Sequence, residues 1–133
     1  MEDCIFCKII AGDIPSTKIY EDDDVVAFLD LTQTTKGHTL LVPKQHARNI
    51  LAMRSEDAAL LFSKVPLIAN KLVHKLQAKG INILQNNEEI AGQTIFHTHV
   101  HLIPRYDDND GFIGKFTPHD YDLAEIAAQI NKD

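Results

Sequence analysis

Short apolar segments separated by polar turns occupy the first third of the chain and predict antiparallel strands. Residues 18–21 and 25–29 form two such segments, and the three consecutive aspartates between them are typical of a hairpin turn rather than of a helix. A third segment, residues 38–42, ends at Pro43, which cannot donate to a strand ladder. We therefore expect three strands that follow one another through short connections.

The middle of the chain has helical periodicity instead. Ser55 is a candidate N-cap, and the acids at 56 and 57 lie in the first turn, where the helix dipole favours them. Apolar residues then recur at helical spacing at Leu61, Val65, Ile68, Leu72 and Leu76, up to a basic last turn and a glycine at 79–80. Pro66 removes one backbone hydrogen bond, so the pattern predicts one long helix with a kink.

The last part of the chain adds two strands and a helix. Segments 81–86 and 95–103 flank the polar loop 87–92, and Leu123, Ile126, Ala127 and Ile130 mark a short amphipathic C-terminal helix. Strands joined by short turns, with helices grouped elsewhere, indicate an α+β fold. We expect an antiparallel sheet of about five strands, one long helix and a short C-terminal helix.

Size and charge narrow the function. A chain of 133 residues with 44% hydrophobic composition suits a single domain over residues 1–133. The net charge of −6 argues against binding to nucleic acid or to an anionic membrane surface, since both need clustered lysine and arginine. No apolar run approaches a membrane span of about 18 residues, and no secretory signal opens the chain, so we expect a cytoplasmic protein.

Three histidines at every second position, His97, His99 and His101, are the strongest chemical signal. In a strand they would share one face, while Thr98, Val100 and Leu102 would pack behind them. A purely structural face would waste apolar surface and leave several ring nitrogens without partners. The triplet therefore predicts a functional site.

The cysteine pair Cys4 and Cys7 favours a metal knuckle over a redox pair, because no strand precedes it. A closed zinc site needs four thiolate or imidazole ligands, so two histidines must join the pair. His46 is one candidate, and one member of the triplet is the other. Spacing alone does not choose among His97, His99 and His101.

Several separated motifs, in order, resemble the histidine-triad (HIT) proteins of the Hint-like branch. They are Cys4-Ile5-Phe6-Cys7, then Asp30, then Gly37-His38-Thr39-Leu40-Leu41-Val42-Pro43-Lys44-Gln45-His46, then Asn86, Ala91-Gly92-Gln93-Thr94, and finally His97-Thr98-His99-Val100-His101-Leu102-Ile103-Pro104-Arg105. The likeness covers nearly the whole chain from residue 4 to residue 105. The triad pattern of alternating histidines and hydrophobic residues is broken only by Thr98.

The resemblance implies different roles for the individual histidines. Zinc would be held by Cys4, Cys7, His46 and His97, and with all four positions filled by protein it would be structural. His99 would be the nucleophile that attacks the α-phosphorus of a purine nucleoside 5'-phosphoryl substrate, giving a nucleotidyl-histidine that water then hydrolyses. His101 would contact the phosphate and assist the leaving group.

The same resemblance implies a substrate site for an AMP-like purine nucleotide. Asn86, Gln93 and Thr94 would donate hydrogen bonds to the phosphate, and Gly92 would permit close backbone approach. Asp30 would accept hydrogen bonds from the ribose hydroxyls. The walls of the purine slot would be Ile5, Phe6, Phe28, Leu29 and Leu31, while His38 lies near the site with no assigned chemistry.

Two positions depart from the family pattern: Gln33 stands where proline is frequent, and Glu88 where glycine is common. The resemblance also implies a homodimer formed through the long helix and an edge strand. The helix suits this because it is apolar on more than one stripe, at Leu60, Leu61, Val65, Ile68, Ala69, Leu72 and Val73.

Substrates consistent with this chemistry are nucleoside phosphoramidates, adenylates and dinucleoside polyphosphates. Two alternatives remain open from the sequence. One is a zinc-water hydrolase that uses the His-x-His pair as metal ligands. The other is a nucleotide sensor or partner-binding module in which hydrolysis is incidental.

Overall fold

A five-stranded antiparallel sheet, in the order β1-β2-β3-β5-β4, organises the chain. The computed structural model describes residues 3–112 and 114–133. The strands are β1 (Lys18–Glu21), β2 (Val25–Leu29), β3 (Thr39–Pro43), β4 (Gly80–Leu84) and β5 (Val100–Arg105). The helices are α1 (Ile5–Ala11), α2 (Ser55–Ser63), α3 (Val65–Leu76) and α4 (Leu123–Asn131), and 3-10 turns occupy Ile50–Ala52 and Glu89–Ala91.

The sheet has a hydrophobic core on each face, so its central strands are apolar at successive positions. The first core packs strand residues under α2 and α3, and comprises Val25, Ala27, Leu41, Leu61, Ile68, Leu72, Val100 and Leu102. The second packs α1 against the opposite face, and comprises Phe6, Ile9, Val26, Phe28, Leu40 and Val42. The candidate site lies on this second face.

The α+β fold with a five-stranded antiparallel sheet is confirmed. The first two strands have the predicted bounds, and the strands predicted at 38–42 and 81–86 lie at Thr39–Pro43 and Gly80–Leu84. The C-terminal helix is also confirmed, capped by the Asp122 carboxylate, which accepts from the backbone N–H groups of Ala124 and Glu125. No helix in residues 3–112 and 114–133 is long and apolar enough to cross a bilayer.

The predicted long helix is divided into α2 and α3 at Lys64. Pro66 lies in the first turn of α3, where the helix does not need a backbone N–H. In a continuous helix, residue 66 would have to donate an N–H to the carbonyl of Phe62, and proline has none. Lys64 keeps right-handed helical angles, so the chain continues in a helical conformation although the backbone hydrogen bonds between α2 and α3 are interrupted.

The histidine strand starts later than predicted: β5 begins at Val100 rather than at residue 95. Thr98 is not part of the strand, because its backbone N–H and its hydroxyl both donate to the carbonyl of Ala47, over 2.8 and 3.0 Å. Helix α1 was not expected. It begins after Cys4, whose sulfur accepts from the backbone N–H of Cys7, and ends at Gly12 in the left-handed conformation.

Candidate active site

Five imidazoles form one row along the second face of the sheet. The ring centroids of His46 and His97 are 4.9 Å apart, those of His99 and His101 are 5.0 Å apart, and those of His101 and His38 are 5.2 Å apart. Within β5, Val100 and Leu102 point into the opposite core, as the predicted alternation requires, whereas His97, Thr98 and His99 precede the strand. The row divides in two: His46 and His97 face the cysteines, while His99 and His101 line a cavity.

The first part of the row is a compact Cys/His cluster. The ligand atoms of Cys4, Cys7, His46 and His97 all lie within 4.8 Å of one another. The three sulfur-to-nitrogen contacts measure 3.3 to 3.5 Å, and the Nδ1 atoms of the two histidines are 3.1 Å apart. Zinc bonds of about 2.3 Å to sulfur and about 2.1 Å to nitrogen give tetrahedral edges of about 3.6 and 3.4 Å, so these residues fit the ion.

Protonation in the cluster also suits a metal. Nε2 of His97 donates to the carbonyl of Pro43 over 2.8 Å, so the lone pair of its Nδ1 points at the sulfurs. Burial lowers the pKa of His97 to about 4 and keeps the ring neutral, as a ligand must be. Burial raises the pKa of Cys7 to about 11, so its thiol stays protonated at neutral pH without a nearby cation, and zinc would bind it as the thiolate with release of that proton.

His99 presents a bare ring nitrogen to the cavity. Its Nδ1 donates to the backbone carbonyl of His97 over 2.8 Å, which places the proton on Nδ1 and leaves Nε2 as a lone pair. Burial lowers the pKa of His99, so the ring is neutral. The edge of Phe6 packs against it with centroids 5.1 Å apart, which fixes the orientation of the ring.

A chain of hydrogen bonds sets the tautomer of His101. The backbone N–H of Thr34 donates to Nδ1 of His38 over 3.3 Å, so the proton of His38 is on Nε2. That Nε2 lies 3.0 Å from Nδ1 of His101 and 3.6 Å from Oδ2 of Asp30. His101 therefore accepts at Nδ1 and carries its own proton on Nε2. Burial, and then the nearby His99 and His38, lower the pKa of His101 to about 4.

A cavity of about 600 Å³ adjoins His99 and His101. Its lining includes every residue expected for the purine slot, namely Ile5, Phe6, Phe28, Leu29 and Leu31, together with Asp30 and Thr94. Leu31 lies at the rim, since its side chain is fully exposed. Oδ1 of Asp30 accepts from the N–H of Thr32 over 2.8 Å, which leaves Oδ2 as the oxygen near His38.

The structure corrects the role expected of Gln93. Its side chain is 1% exposed, and its Nε2 donates to the carbonyls of Arg48 and Ile95 over 2.7 and 3.0 Å. Its Oε1 accepts from Asn49 and from the backbone N–H of Glu88. Both amide donors are engaged, so Gln93 holds the loop and has no hydrogen to give to a phosphate.

Of the other predicted phosphate contacts, Thr94 lines the cavity, whereas Asn86 and Gly92 do not. Thr94 is exposed at the cavity, and Asn86 lies beside Gly92, to whose carbonyl its amide donates over 3.4 Å. Gly92 has a φ of 99°, and a Cβ there would lie 3.2 Å from Nδ2 of Asn86. The absence of a Cβ at Gly92 thus gives the Asn86 side chain room to pack against it.

Glu88 explains why glycine is common at its position: its φ is 78°, in a region that favours glycine. The side chain holds the residue there, with Arg48 donating twice to its carboxylate over 2.8 and 2.9 Å, and Asn49 donating over 2.8 Å. The Arg48 guanidinium lowers the pKa of Glu88 to about 2. Sequence reasoning missed Asn49 and Arg48, because only the fold brings them to this loop.

Known proteins resemble this chain over most of its length. The sequence matches the HIT domain over residues 11–108. It is 51% identical to "Protein hit" of Bacillus subtilis, an alignment that covers 98% of this chain and 94% of that protein. The structure matches the crystal structure of SMU.412c from Streptococcus mutans UA159 with a TM-score of 0.95 and 55% identity, over 99% of this chain and 85% of that one.

More distant relatives have more informative names. The chain is 41% identical to "Adenosine 5'-monophosphoramidase hnt1" of Schizosaccharomyces pombe, over 81% of this chain and 78% of that protein. It matches a Zn-bound histidine triad family protein from Mycobacterium smegmatis with a TM-score of 0.79 and 34% identity, over 88% of this chain and 85% of that one. The domain match and these identities together show that the chain belongs to the HIT family.

Proposed function

We propose that this protein hydrolyses purine nucleoside 5'-phosphoryl compounds through a nucleotidyl intermediate on His99. The observation that carries the proposal is the hydrogen bond from Nδ1 of His99 to the carbonyl of His97, because it leaves a neutral ring with a bare Nε2 beside the cavity. The name of the S. pombe relative supports a phosphoramidate as substrate. Adenylates and dinucleoside polyphosphates present the same α-phosphorus.

The reaction proceeds in two displacements. Nε2 of His99 forms a bond to the α-phosphorus as the bond from phosphorus to the leaving nitrogen breaks. The leaving nitrogen takes a proton from solvent and departs as the free amine, while the Nε2–H of His101 donates a hydrogen bond to the phosphate and so assists this departure. Water then attacks phosphorus and gives its proton to solvent, and the nucleoside monophosphate leaves His99 free.

The remaining residues orient the substrate. The apolar slot receives the base, Asp30 accepts from the ribose hydroxyls, and Thr94, at the cavity, and Asn86, beside Gly92, donate to the phosphate. Zinc held by Cys4, Cys7, His46 and His97 would supply structural stabilisation, because it ties α1 to the sheet. His97 and His99 face different partners, which favours this scheme over a zinc-water hydrolase.

The direct test is His99→Ala assayed for AMP release from adenosine 5'-phosphoramidate. We expect turnover to fall by at least about 10³-fold while AMP binding is largely retained. His74→Ala, on α3, is the matched control and should keep full turnover. Unchanged turnover in His99→Ala would reject the nucleophile. Very slow turnover in the wild type, combined with tight AMP binding and nucleotide-dependent capture of a protein, would favour the sensor alternative.

We also propose that the protein forms a homodimer. Strand β4 lies at an edge of the sheet, and Ile83 on β4 and Leu67 on α3 are 42% and 55% exposed. An unpaired edge beside exposed apolar side chains suits pairing with a second copy. Sedimentation should give a dimer at micromolar concentration, and Ile83→Lys should shift it to monomer. A wild-type monomer throughout that range would remove this part of the proposal.

A further inference from the structure

The loop between β2 and β3 carries two residues of the candidate site, Asp30 at its start and His38 at its end. The side chain of Gln33 bridges this loop from within. Its Nε2 donates to the backbone carbonyls of Asp30 and His38 over 2.6 and 2.8 Å, and its Oε1 accepts from the N–H of Gly37 over 2.8 Å. One carboxamide thus joins both ends of the loop to its turn.

These bonds act on the residue expected to contact ribose. The Asp30 carboxylate is already held at Oδ1 by the N–H of Thr32. With the Asp30 carbonyl fixed by Gln33, both the backbone and one carboxylate oxygen are immobilised, and Oδ2 is the oxygen that remains for a ligand. Proline, frequent at this position in the family, would stiffen the loop through its ring; this chain uses three hydrogen bonds instead.

We infer that Gln33 is a positioning residue for ribose recognition, which sets the Asp30 carboxylate for the hydroxyls of a ribonucleotide. The inference rests on the proposed function. Gln33 lines no part of the cavity and so acts through Asp30. A misplaced carboxylate loses the hydroxyl hydrogen bonds without losing the base slot or the phosphate contacts. The selective loss is therefore discrimination between ribose and 2'-deoxyribose.

The loop is also braced from outside, so we expect it to stay folded when Gln33 is changed. The hydroxyl of Tyr106 donates to the carbonyl of Lys36 over 2.7 Å. Gly111, with a φ of 116°, lies so close to the carbonyl oxygen of Thr34 that there is no room for a Cβ at this position. These contacts come from the chain after β5 and do not involve Gln33.

The test compares kcat/KM for adenosine and 2'-deoxyadenosine 5'-phosphoramidates. The wild type should prefer the ribonucleotide by about ten- to a hundredfold, the range for a hydrogen bond to a charged group. Gln33→Met keeps the side-chain volume and removes all three bonds, and it should bring this preference down towards the value of Asp30→Asn. Gln129→Met, on exposed helix α4, is the matched control and should leave the ratio unchanged.

A double variant isolates the mechanism. Adding Gln33→Met to Asp30→Asn should lower the ratio no further, since both changes remove the same interaction. Gln33→Glu, which keeps the acceptor and loses both donors, should behave like Gln33→Met and serves if that variant unfolds. A full ribose preference in either Gln33 variant would overturn the inference, as would a wild type that hydrolyses both substrates equally. A wild type that hydrolyses neither would reject the proposed function itself.

Discussion

The backbone carbonyl of His97 accepts the Nδ1 proton of His99 over 2.8 Å, while the ring of His97 points into the Cys/His cluster. One residue therefore belongs to both halves of the site. Its side chain fits a structural metal, and its backbone fixes the tautomer of the candidate nucleophile. The predictions below separate these two functions.

Metal removal should cost stability more than chemistry. Chelation, or Cys7→Ser, removes the tie between α1 and the sheet, and we expect Tm to fall by about 10 °C or more. Molecules that remain folded at low temperature should still turn over, because His99 keeps its bond to the His97 carbonyl. Ser63→Ala, on the exposed surface of α2, is a control for thermal scans and is expected to change Tm little.

The opposite pattern would contradict the structural assignment of the metal. If chelation abolished turnover in a protein whose Tm had not moved, the ion would be part of the chemistry. Zinc analysis of the purified protein, compared between the wild type and Cys7→Ser, shows whether the cluster is the binding site. We expect one zinc per chain in the wild type and a clear loss in the variant.

Protonation of His101 should oppose folding in mild acid. The groups that face it are His99, His38 and Asp30, and its pKa of about 4 lies below the ordinary value of 6.5. The unfolded chain therefore binds this proton first as the pH falls. The contribution of His101 to stability is fully present above pH 6.5 and is lost progressively as the pH falls towards 4.

The measurement is the free energy of unfolding of wild type and His101→Asn at several pH values between 4 and 7. The slope of the free energy of unfolding against pH should be smaller in the variant by at most about 1.4 kcal/mol per pH unit, which corresponds to one proton. Equal slopes would show that His101 titrates alike in the folded and unfolded chains. Gln129→Ala, on the exposed helix α4, should reproduce the wild-type slope.

Backbone strain at Glu88 should be visible in the relative Tm values of two variants. Glu88→Ala keeps a side chain at a φ of 78° and loses the bonds to Arg48 and Asn49, so we expect a lower Tm. Glu88→Gly loses the same bonds but relieves the strain, and it should be more stable than Glu88→Ala. An equal or lower Tm for the glycine variant would mean that the backbone at 88 is not strained.

The buried carboxamide of Gln93 should matter for folding. Gln93→Leu keeps the volume but leaves the N–H of Glu88 and the carbonyls of Arg48 and Ile95 without their partner. We expect a loss of about 3 kcal/mol, measured by urea unfolding. Gln129→Leu, on α4, should change the free energy of unfolding by about 0.5 kcal/mol or less. If Gln93→Leu instead had normal stability but weaker phosphate binding, Gln93 would contact the phosphate directly.

Elements specified by their own sequence were predictable. Strands β1 and β2 have the expected bounds and helix α4 contains the four apolar residues that predicted it, since apolar spacing and an acidic turn are local signals. Helix α1 was missed because its cap is the sulfur of Cys4, and Ser, Thr, Asp and Asn are the usual signals. The start of β5 depends on a distant carbonyl, that of Ala47.

The residue types of the site were predictable, but their hydrogen-bond partners were not. The triplet indicated a functional site and the Cys pair a metal, and the family resemblance implied the nucleophile, yet spacing alone could not assign His97 to the cluster. That assignment follows from the carbonyl of Pro43, which turns Nδ1 of His97 towards sulfur. Gln93 looked available because its partners lie in segments far along the chain.

The central claim is that phosphorus becomes bonded to Nε2 of His99. Wild-type protein mixed with adenosine 5'-phosphoramidate, quenched within one turnover and digested, should yield a peptide containing His99 with an added AMP group. The same peptide from His99→Ala should carry none. A wild type that releases AMP at full rate without any such adduct, while metal removal stops the reaction, would contradict the account.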